Sequence, residues 1–278
     1  MNIDILQNFK KSDYFSEPFP HLIIEDALPL KVYEKLEDEY QIVINYLKQN
    51  QSFLESNKRL QITTKELNLI NDFKNTLWLK FAKFHTSKDF FLKLVSIFEN
   101  EFSYLYPSLF KRIKENKLRT DFVTLRSFEV KDNKNSFIVS DCQPGINTPV
   151  HNTSSVRGPH VDNPVEIFGG LYYLKNEKDK AGGDLEIYSI NRKPYFRGKA
   201  EVDNTNDLSL HSKIKYKKNV FVMFLNSSFS IHGITKREKT NYTRNLTNII
   251  FETYSQDKLF QLNRKNSYLK KIYQKFFG

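Results

Sequence analysis

The stretch IFGGLYYL, residues 167–174, decides the fold, because it is apolar almost from end to end. A second run, VFVMFL at residues 220–225, has the same character. Short apolar runs of this kind are typical of β-strands that are covered on both faces. We therefore expect these two strands to lie at the centre of the sheets.

Other short β-rich runs surround these two strands, and polar or glycine-containing stretches separate them. They predict strands over residues 122–130, 137–143, 185–190 and 244–254. Many short strands with turn signals between them are typical of a sandwich or a barrel. The sequence thus predicts a mainly β core over residues 116–256.

The N-terminal part has a different, mainly helical pattern. Residues 21–24 predict a short strand, after which Pro29 begins a helix with apolar positions at helical spacing. Residues 65–106 predict two amphipathic helices, the second with Ser87 as a candidate cap. We expect residues 1–115 to pack on the β core. The chain would then be mainly β with helical additions, an α+β protein.

The C-terminal tail has helical periodicity as well. Residues 257–278 are expected to form a helix whose apolar face packs on its own domain, since globular helices commonly carry such a stripe. The lysines of this tail would also suit a membrane surface, which is the alternative. No repeat or linker divides the sequence, so residues 1–278 are predicted to form a single domain.

The composition indicates a folded protein, because 39% of the residues are hydrophobic and 14% are aromatic. A single cysteine, Cys142, excludes an intrachain disulfide and a thiolate zinc cluster, and it points to a reducing compartment. The N-terminus lacks the pattern of a signal peptide, and no apolar run approaches the roughly 20 residues that span a bilayer. We expect a soluble cytoplasmic protein with no membrane partner.

The net charge of +11 arises from 43 basic and 32 acidic residues. Such an excess can attract nucleic acid or other anions. The lysines are scattered along the chain, however, and no stripe of basic residues interleaves with aromatic ones. Nucleic acid is therefore not the expected partner, and the sequence leaves the oligomeric state open.

A metal-binding pattern lies directly before the first apolar run. In an extended chain, residues i and i+2 project to the same side, so His160 and Asp162 should converge. His232 follows the second apolar run and a polar turn. Two histidines and one carboxylate on one face of an octahedral metal suit a non-haem Fe(II) oxygenase, because three positions stay open for co-substrate and O₂. A closed structural zinc site fits this set less well.

Arg244 follows His232 in the sequence and begins a predicted strand. An arginine at this position could bind the distal carboxylate of 2-oxoglutarate through two hydrogen bonds inside a barrel. A lysine would fit that planar task less well. Arg244 therefore separates a 2-oxoglutarate enzyme from a metal-dependent cupin-type enzyme that does not use this co-substrate.

Several segments together resemble one known family, the 2-oxoglutarate/Fe(II)-dependent dioxygenase superfamily in its prolyl-hydroxylase-like branch. The matching segments are EPFPH at 17–21, RGPHVD at 157–162, GGLYYL at 169–174, GGDL at 182–185, HGIT at 232–235 and YTR at 242–244. The resemblance covers residues 17–30 and 137–254.

The resemblance implies a double-stranded β-helix, a jelly-roll core of the cupin kind. It implies that His160 and Asp162 are the proximal metal ligands and His232 the distal one. Arg244 would bind the co-substrate, and Gly182-Gly183 would form the tight turn before the next strand. The expected cofactors are Fe(II) and 2-oxoglutarate, with O₂ as the further co-substrate.

The implied activity is hydroxylation of a small polar metabolite, a sugar or a peptidyl residue, with release of succinate and CO₂. A metal-dependent cupin-type enzyme that does not use 2-oxoglutarate is one alternative. A non-catalytic binding protein of the same fold is another, and the intact ligand set argues against it. Arg157, His151 and Asn152 are the candidate substrate contacts, because loops near a rigid scaffold carry specificity.

Overall fold

The computed structural model describes residues 1–119, 121–127, 129–133, 136–254 and 258–264. Its helices are α1 (Leu30–Asn50), α2 (Thr64–Leu69), α3 (Leu77–His85), α4 (Lys88–Ile97), α5 (Glu99–Leu105), α6 (Pro107–Asn116) and α7 (Val130–Asn133). Its strands are β1 (Tyr14–Phe15), β2 (His21–Ile24), β3 (Arg59–Gln61), β4 (Val123–Leu125), β5 (Ile138–Asn147), β6 (Glu166–Tyr173), β7 (Leu185–Ile190), β8 (Phe196–Arg197), β9 (Glu201–Val202), β10 (Leu208–Ile214), β11 (Phe221–Leu225), β12 (His232–Ile234) and β13 (Arg244–Glu252).

One large sheet forms the middle of the structure, with the strand order β1-β2-β11-β6-β13-β5-β3. The strand β4 joins β5 in parallel, and the other neighbours in this sheet are antiparallel. Both apolar runs are flanked by strands on each side, since β6 lies between β11 and β13, and β11 lies between β2 and β6. The prediction of interior strands is confirmed.

The large sheet is covered on both faces, which explains the continuous apolar runs. In β11, Phe221 and Met223 belong to the core shared with the helices, whereas Val222 and Phe224 belong to a second core. That second core contains Leu185 of β7, in the small sheet β10-β7-β12. The molecule therefore has three layers: helices, the large sheet and the small sheet. A two-stranded sheet, β8-β9, adds to the small-sheet side.

The helical layer differs in detail from the prediction. The two helices expected over residues 65–106 are four shorter ones, α2 to α5. The break at Ser87 is the predicted one, and the break before Thr76 was not predicted. At both positions the hydroxyl accepts a hydrogen bond from a helix amide, that of Leu79 for Thr76 and that of Phe90 for Ser87. The third break, between α4 and α5, lies at Phe98, which makes no side-chain cap.

The strand predicted over residues 122–130 is also partly wrong. Only Val123–Leu125 is a strand, and Val130–Asn133 is a short helix. The amide of Ser127 donates to the side-chain oxygen of Asn133, a local bond that turns the chain away from β5. Side-chain-to-backbone bonds of this kind compete with ladder pairing.

The tail prediction falls mostly outside the described residues. Residues 258–264 are described and contain no helix, while 265–278 and 255–257 are not described, so the C-terminal helix stays a prediction. Among the helices that are described, none has the length and apolar character needed to cross a membrane.

Tyr40 of α1 joins the helical layer to the large sheet. Its hydroxyl lies 2.6 Å from the carbonyl of Gly145 and 2.9 Å from that of Leu246, and it accepts from the amide of Gly145 at 3.0 Å. We expect Tyr40→Phe to lower the unfolding free energy by about 1 to 3 kcal/mol, because buried backbone groups lose their partner. Urea titration would measure this loss. The matched change at the exposed Tyr104 should cost less than about 0.5 kcal/mol, and equal losses in both variants would contradict the role of Tyr40.

His85 of α3 is a buried neutral histidine. Its Nδ1 is 2.8 Å from the carbonyl of Phe81, and its Nε2 accepts the amide of Ile5 at 3.3 Å. Burial lowers the pKa of His85 from 6.5 to about 3. Between these two pKa values the unfolded chain binds a proton that the folded chain does not.

The unfolding free energy should therefore decrease as the pH falls through this window, with a contribution from His85 of about 1.4 kcal/mol per pH unit. Urea unfolding of the wild type and of His85→Gln at several pH values would isolate this contribution. A pH dependence that is the same in both proteins would show that His85 is not the titrating group.

Candidate active site

The two predicted histidine ligands meet through their backbones. The amide of His160 donates to the carbonyl of His232 at 2.8 Å, and the amide of His232 donates to the carbonyl of His160 at 2.9 Å. This pairing places the imidazole ring centroids 4.3 Å apart. The histidines are thus neighbours although a long stretch of chain separates them.

Asp162 completes the group. Its Oδ1 lies 3.7 Å from Nε2 of His160, and its Oδ2 lies 3.7 Å from Nε2 of His232. One candidate ligand atom from each of the three residues lies within 4.8 Å of the others. Two ligand atoms bonded to one ion at roughly 2.1 Å are about 3.0 Å apart on adjacent positions and about 4.2 Å apart on opposite ones, so small side-chain shifts would bring both 3.7 Å pairs onto one ion.

Backbone carbonyls set the tautomer of both histidines. Nδ1 of His160 lies 2.7 Å from the carbonyl of Gly158, and Nδ1 of His232 lies 2.9 Å from the carbonyl of Ser230. A carbonyl can only accept, so each Nδ1 carries the proton and each Nε2 presents a lone pair. Burial lowers the pKa of both histidines, and the neutral imidazole is the form that binds a metal.

These groups line a cavity of about 430 Å³ between the large sheet and the residues around β12. One part of its wall is apolar and is formed by Leu171, Phe224, Leu246 and Ile250. The other part is a polar strip on β3 and β5. We define the polar strip as Arg59, Gln61, Gln143 and Asn147.

Hydrogen bonds connect the members of the polar strip. Nε of Arg59 donates to the side-chain oxygen of Gln61 at 3.3 Å, and Gln61 donates to Gln143 at 2.8 Å. Gln143 in turn donates to Asp141 at 2.7 Å. The strip therefore has a defined arrangement of donors and acceptors along one wall.

Arg244 begins β13, as predicted, and its side chain is buried in the cavity wall. Nε donates to the carbonyl of Gly183 at 2.9 Å, and Nη1 lies 3.4 Å from the side-chain oxygen of Asn147. The guanidinium carbon lies 5.2 Å and 4.8 Å from the ring centroids of Tyr173 and Tyr216. Nη2 is buried and has no hydrogen-bond partner among the described residues.

The turn at Gly182-Gly183 has the geometry that the resemblance implied. Both residues have positive φ, 93° and 89°, where a side chain is disfavoured. A Cβ at Gly183 would lie 2.9 Å from Nε of Arg244. Glycine here therefore lets the backbone approach the arginine closely enough to hold it.

The register of the sheet aligns Arg244 with two further polar residues. Asn147 of β5 is the pairing partner of Arg244 on β13 and of Arg59 on β3. All three line the cavity. Burial and the neighbouring positive charge of Arg244 lower the pKa of Arg59 to about 10. The charge of Arg244 thus acts on Arg59.

A cluster of two acidic residues and one arginine lies near the C-terminal end of β13. Glu252 of β13 lies opposite Glu166 of β6 in the strand register. Nε of Arg126 lies 3.3 Å from Oε2 of Glu252. Burial raises the pKa of Glu166, and the charge of Asp162 acts in the same direction. Arg126 therefore has an acidic partner, whereas Arg244 has none in the part of the chain that the structure describes.

Of the three predicted substrate contacts, one lines the cavity and two do not. Arg157 lines the cavity, with Nη1 3.7 Å from Oδ1 of Asp162 and Nη2 bonded to the carbonyl of Lys199. His151 and Asn152 are exposed, and the described cavity lining does not include them. Their role as substrate contacts stays a prediction.

The sequence did not single out Arg59, Gln61 or Gln143. The available signal was the alternation Arg59-Leu60-Gln61-Ile62, in which Leu60 and Ile62 are buried in the helical core while the polar residues face the cavity. Alternation predicts a strand with one polar face. It does not predict which strand will be the neighbour.

No protein-family model and no curated protein matches the chain. Among solved structures, a prolyl 4-hydroxylase of Phytophthora capsici has a TM-score of 0.45 and 13% identity, over 91% of this chain and 66% of that one. The α-ketoglutarate-dependent epimerase SnoN has a TM-score of 0.46 and 7% identity, over 87% and 82% of the two chains.

HygX from Streptomyces hygroscopicus, whose structure contains iron, has a TM-score of 0.40 and 11% identity, over 90% of this chain and 88% of that one. The chain spans 66% of the length of the Phytophthora protein. A prolyl 4-hydroxylase is thus among the similar structures.

Gly169 of β6 offers a test of the metal group, because a Cβ there would lie 2.8 Å from Oδ2 of Asp162 and 3.0 Å from the ring of Phe224. We expect Gly169→Ala to displace the carboxylate and to weaken Mn²⁺ binding about 10- to 100-fold in calorimetric titration. In the control Gly158→Ala, the new methyl group meets nothing within 4 Å. Unchanged affinity in Gly169→Ala would argue against Asp162 as a ligand.

Proposed function

We propose that the chain is an Fe(II)- and 2-oxoglutarate-dependent oxygenase that hydroxylates a small polar metabolite, a sugar or a peptidyl residue and releases succinate and CO₂. The observation that carries the proposal is the meeting of His160, Asp162 and His232 in the wall of a cavity that also contains Arg244. The first three residues are the ligand set of a non-haem iron oxygenase. The arginine suits the distal carboxylate of the co-substrate.

The donor set fits Fe(II). Both imidazoles are neutral and present Nε2, and Asp162 supplies a negative charge beside them. When bound, Fe(II) and 2-oxoglutarate supply the activation of O₂, coupled to decarboxylation of the co-substrate. The carbonyls of Gly158 and Ser230 hold the imidazoles in the ligating tautomer.

The environment of Arg244 fits an anionic co-substrate. A buried cation without an anion is costly, and Nη2 of Arg244 is a buried donor that lacks an acceptor among the described residues. Gly183 and Asn147 fix the orientation of the guanidinium. The distal carboxylate of 2-oxoglutarate would provide the missing acceptor and the compensating charge.

The other residues that line the cavity are suited to position a substrate. The apolar wall, which includes Leu171, Phe224 and Leu246, excludes water from the reacting groups. Arg157 lies beside Asp162 and can orient both its carboxylate and a polar substrate group. The amides of the polar strip offer further hydrogen bonds. A polar substrate therefore suits the cavity better than a fully apolar one.

We also propose that the large and small sheets together form the double-stranded β-helix of the jelly-roll kind, within a single domain of residues 1–278. The two sheets share one core, and the metal group lies where His160 and β12 meet, beside the face of β6. A cytoplasmic location stays a prediction from the cysteine content.

The test is a screen for succinate release with Fe(II), ascorbate, 2-oxoglutarate and a panel of polar metabolites, sugars and peptides. We expect at least one substrate class to stimulate release, and Asp162→Ala to abolish it, because the anionic metal ligand is lost. A chain that binds the metal but not 2-oxoglutarate would instead be a cupin-type enzyme of another kind. A chain that binds neither would be a binding protein.

A further inference from the structure

A row of unsatisfied donors crosses three neighbouring strands in the cavity wall. Arg244, Asn147 and Arg59 are aligned by the register of β13, β5 and β3. In each residue, one buried side-chain nitrogen has no hydrogen-bond partner among the described residues: Nη2 of Arg244, Nδ2 of Asn147 and Nη2 of Arg59. Native proteins leave few buried polar atoms unpaired, so three in one row indicate a site built for a ligand.

The chemistry of the row defines that ligand. Guanidinium and amide nitrogens only donate, so the ligand must accept several hydrogen bonds at once. Two of the three side chains are cationic, and no carboxylate of the described residues lies within ion-pairing distance of either one. An anion with two oxygens, such as a carboxylate, meets both requirements.

Arg59 is not explained by packing. Its neighbours in β3, Leu60 and Ile62, provide the apolar contacts with the helical core. An arginine that served only the fold would pair with an acid, as Arg126 does with Glu252, or would reach solvent. The side chain of Arg59 is half-buried, and its Nη2 lies out of contact with solvent near a second cation, Arg244.

We propose that Arg59 is a second arginine of the co-substrate site and that Arg59, Asn147 and Arg244 together hold the distal carboxylate of 2-oxoglutarate. This inference rests on the proposed function. It assigns a specificity role to Arg59, because a 2-oxo acid that lacks the distal carboxylate would leave the buried Arg244 and the half-buried Arg59 without an anion. The site therefore selects a dicarboxylate over a monocarboxylate of the same length.

The test measures binding rather than turnover. The full chain is loaded with Mn²⁺ and titrated by calorimetry with 2-oxoglutarate and with 2-oxopentanoate, which has the same 2-oxo acid group but no distal carboxylate. We expect Arg59→Gln to weaken 2-oxoglutarate binding at least about tenfold, because truncating a buried charge-assisted pair has an effect of this size. Binding of 2-oxopentanoate and of Mn²⁺ should stay within about twofold of the wild type, since neither contacts the row.

Two further variants make the result specific. Arg126→Gln removes a cavity arginine that already has an acidic partner, and it should leave 2-oxoglutarate binding unchanged. Arg244→Gln should weaken binding at least as much as Arg59→Gln, and the double variant should lose less than the sum of the two, because the residues share one carboxylate. If Arg59→Gln does not fold by circular dichroism, Arg59→Lys replaces it, and the same loss is expected because the planar fork is gone.

The failure of this inference and that of the proposed function are distinguishable. Wild-type chain that binds Mn²⁺ but no 2-oxoglutarate would overturn both. Wild-type chain that binds 2-oxoglutarate with an affinity that Arg59→Gln leaves unchanged would overturn only the role of Arg59. An equal loss in Arg59→Gln and Arg126→Gln would also overturn it, because the effect would then follow from cavity charge in general.

Discussion

The site depends on one pair of backbone hydrogen bonds, those that His160 and His232 exchange. The pair joins the loop before β6 to the first residue of β12, which pairs with β7 in the small sheet. Because amides and carbonyls make these bonds, side-chain changes at either histidine leave the pairing in place. The backbone that positions the metal group is therefore independent of the ligand side chains. The relative position of the two histidines follows from this backbone pairing.

The metal group and the arginines of the cavity lie at different positions along the large sheet. Neutral imidazoles and Asp162 lie near Gly169, where the backbone leaves room for the carboxylate. The guanidinium groups of Arg244 and Arg59, which have no carboxylate partner among the described residues, lie at the end of the sheet where β13 begins. A ligand with a metal-binding group at one end and an anionic group at the other would match this arrangement. Apolar side chains line the same cavity, and by excluding water they would strengthen the binding of a charged ligand.

The sequence predicts those features that depend on residues close together in the chain. The spacing of His160 and Asp162, the apolar runs and the glycine pair before β7 are local patterns, and the structure places them as expected. The alignment of Arg59 with Arg244 depends on strand register, which no local pattern determines. The boundary at Ser87 was predicted, but the break before Thr76 was missed, because a local cap there outweighs a continuous apolar periodicity.

The position of β13 bears on how the protein is made. It lies between β6 and β5 in the middle of the large sheet, yet it is the last strand in the described part of the chain. During synthesis, β6 and β5 each keep one edge without a strand partner until residues 244–252 leave the ribosome. Unpaired edges and late, long-range pairing favour aggregation and slow folding. A nascent chain halted before β13 would therefore be a natural client for chaperones that bind exposed strands.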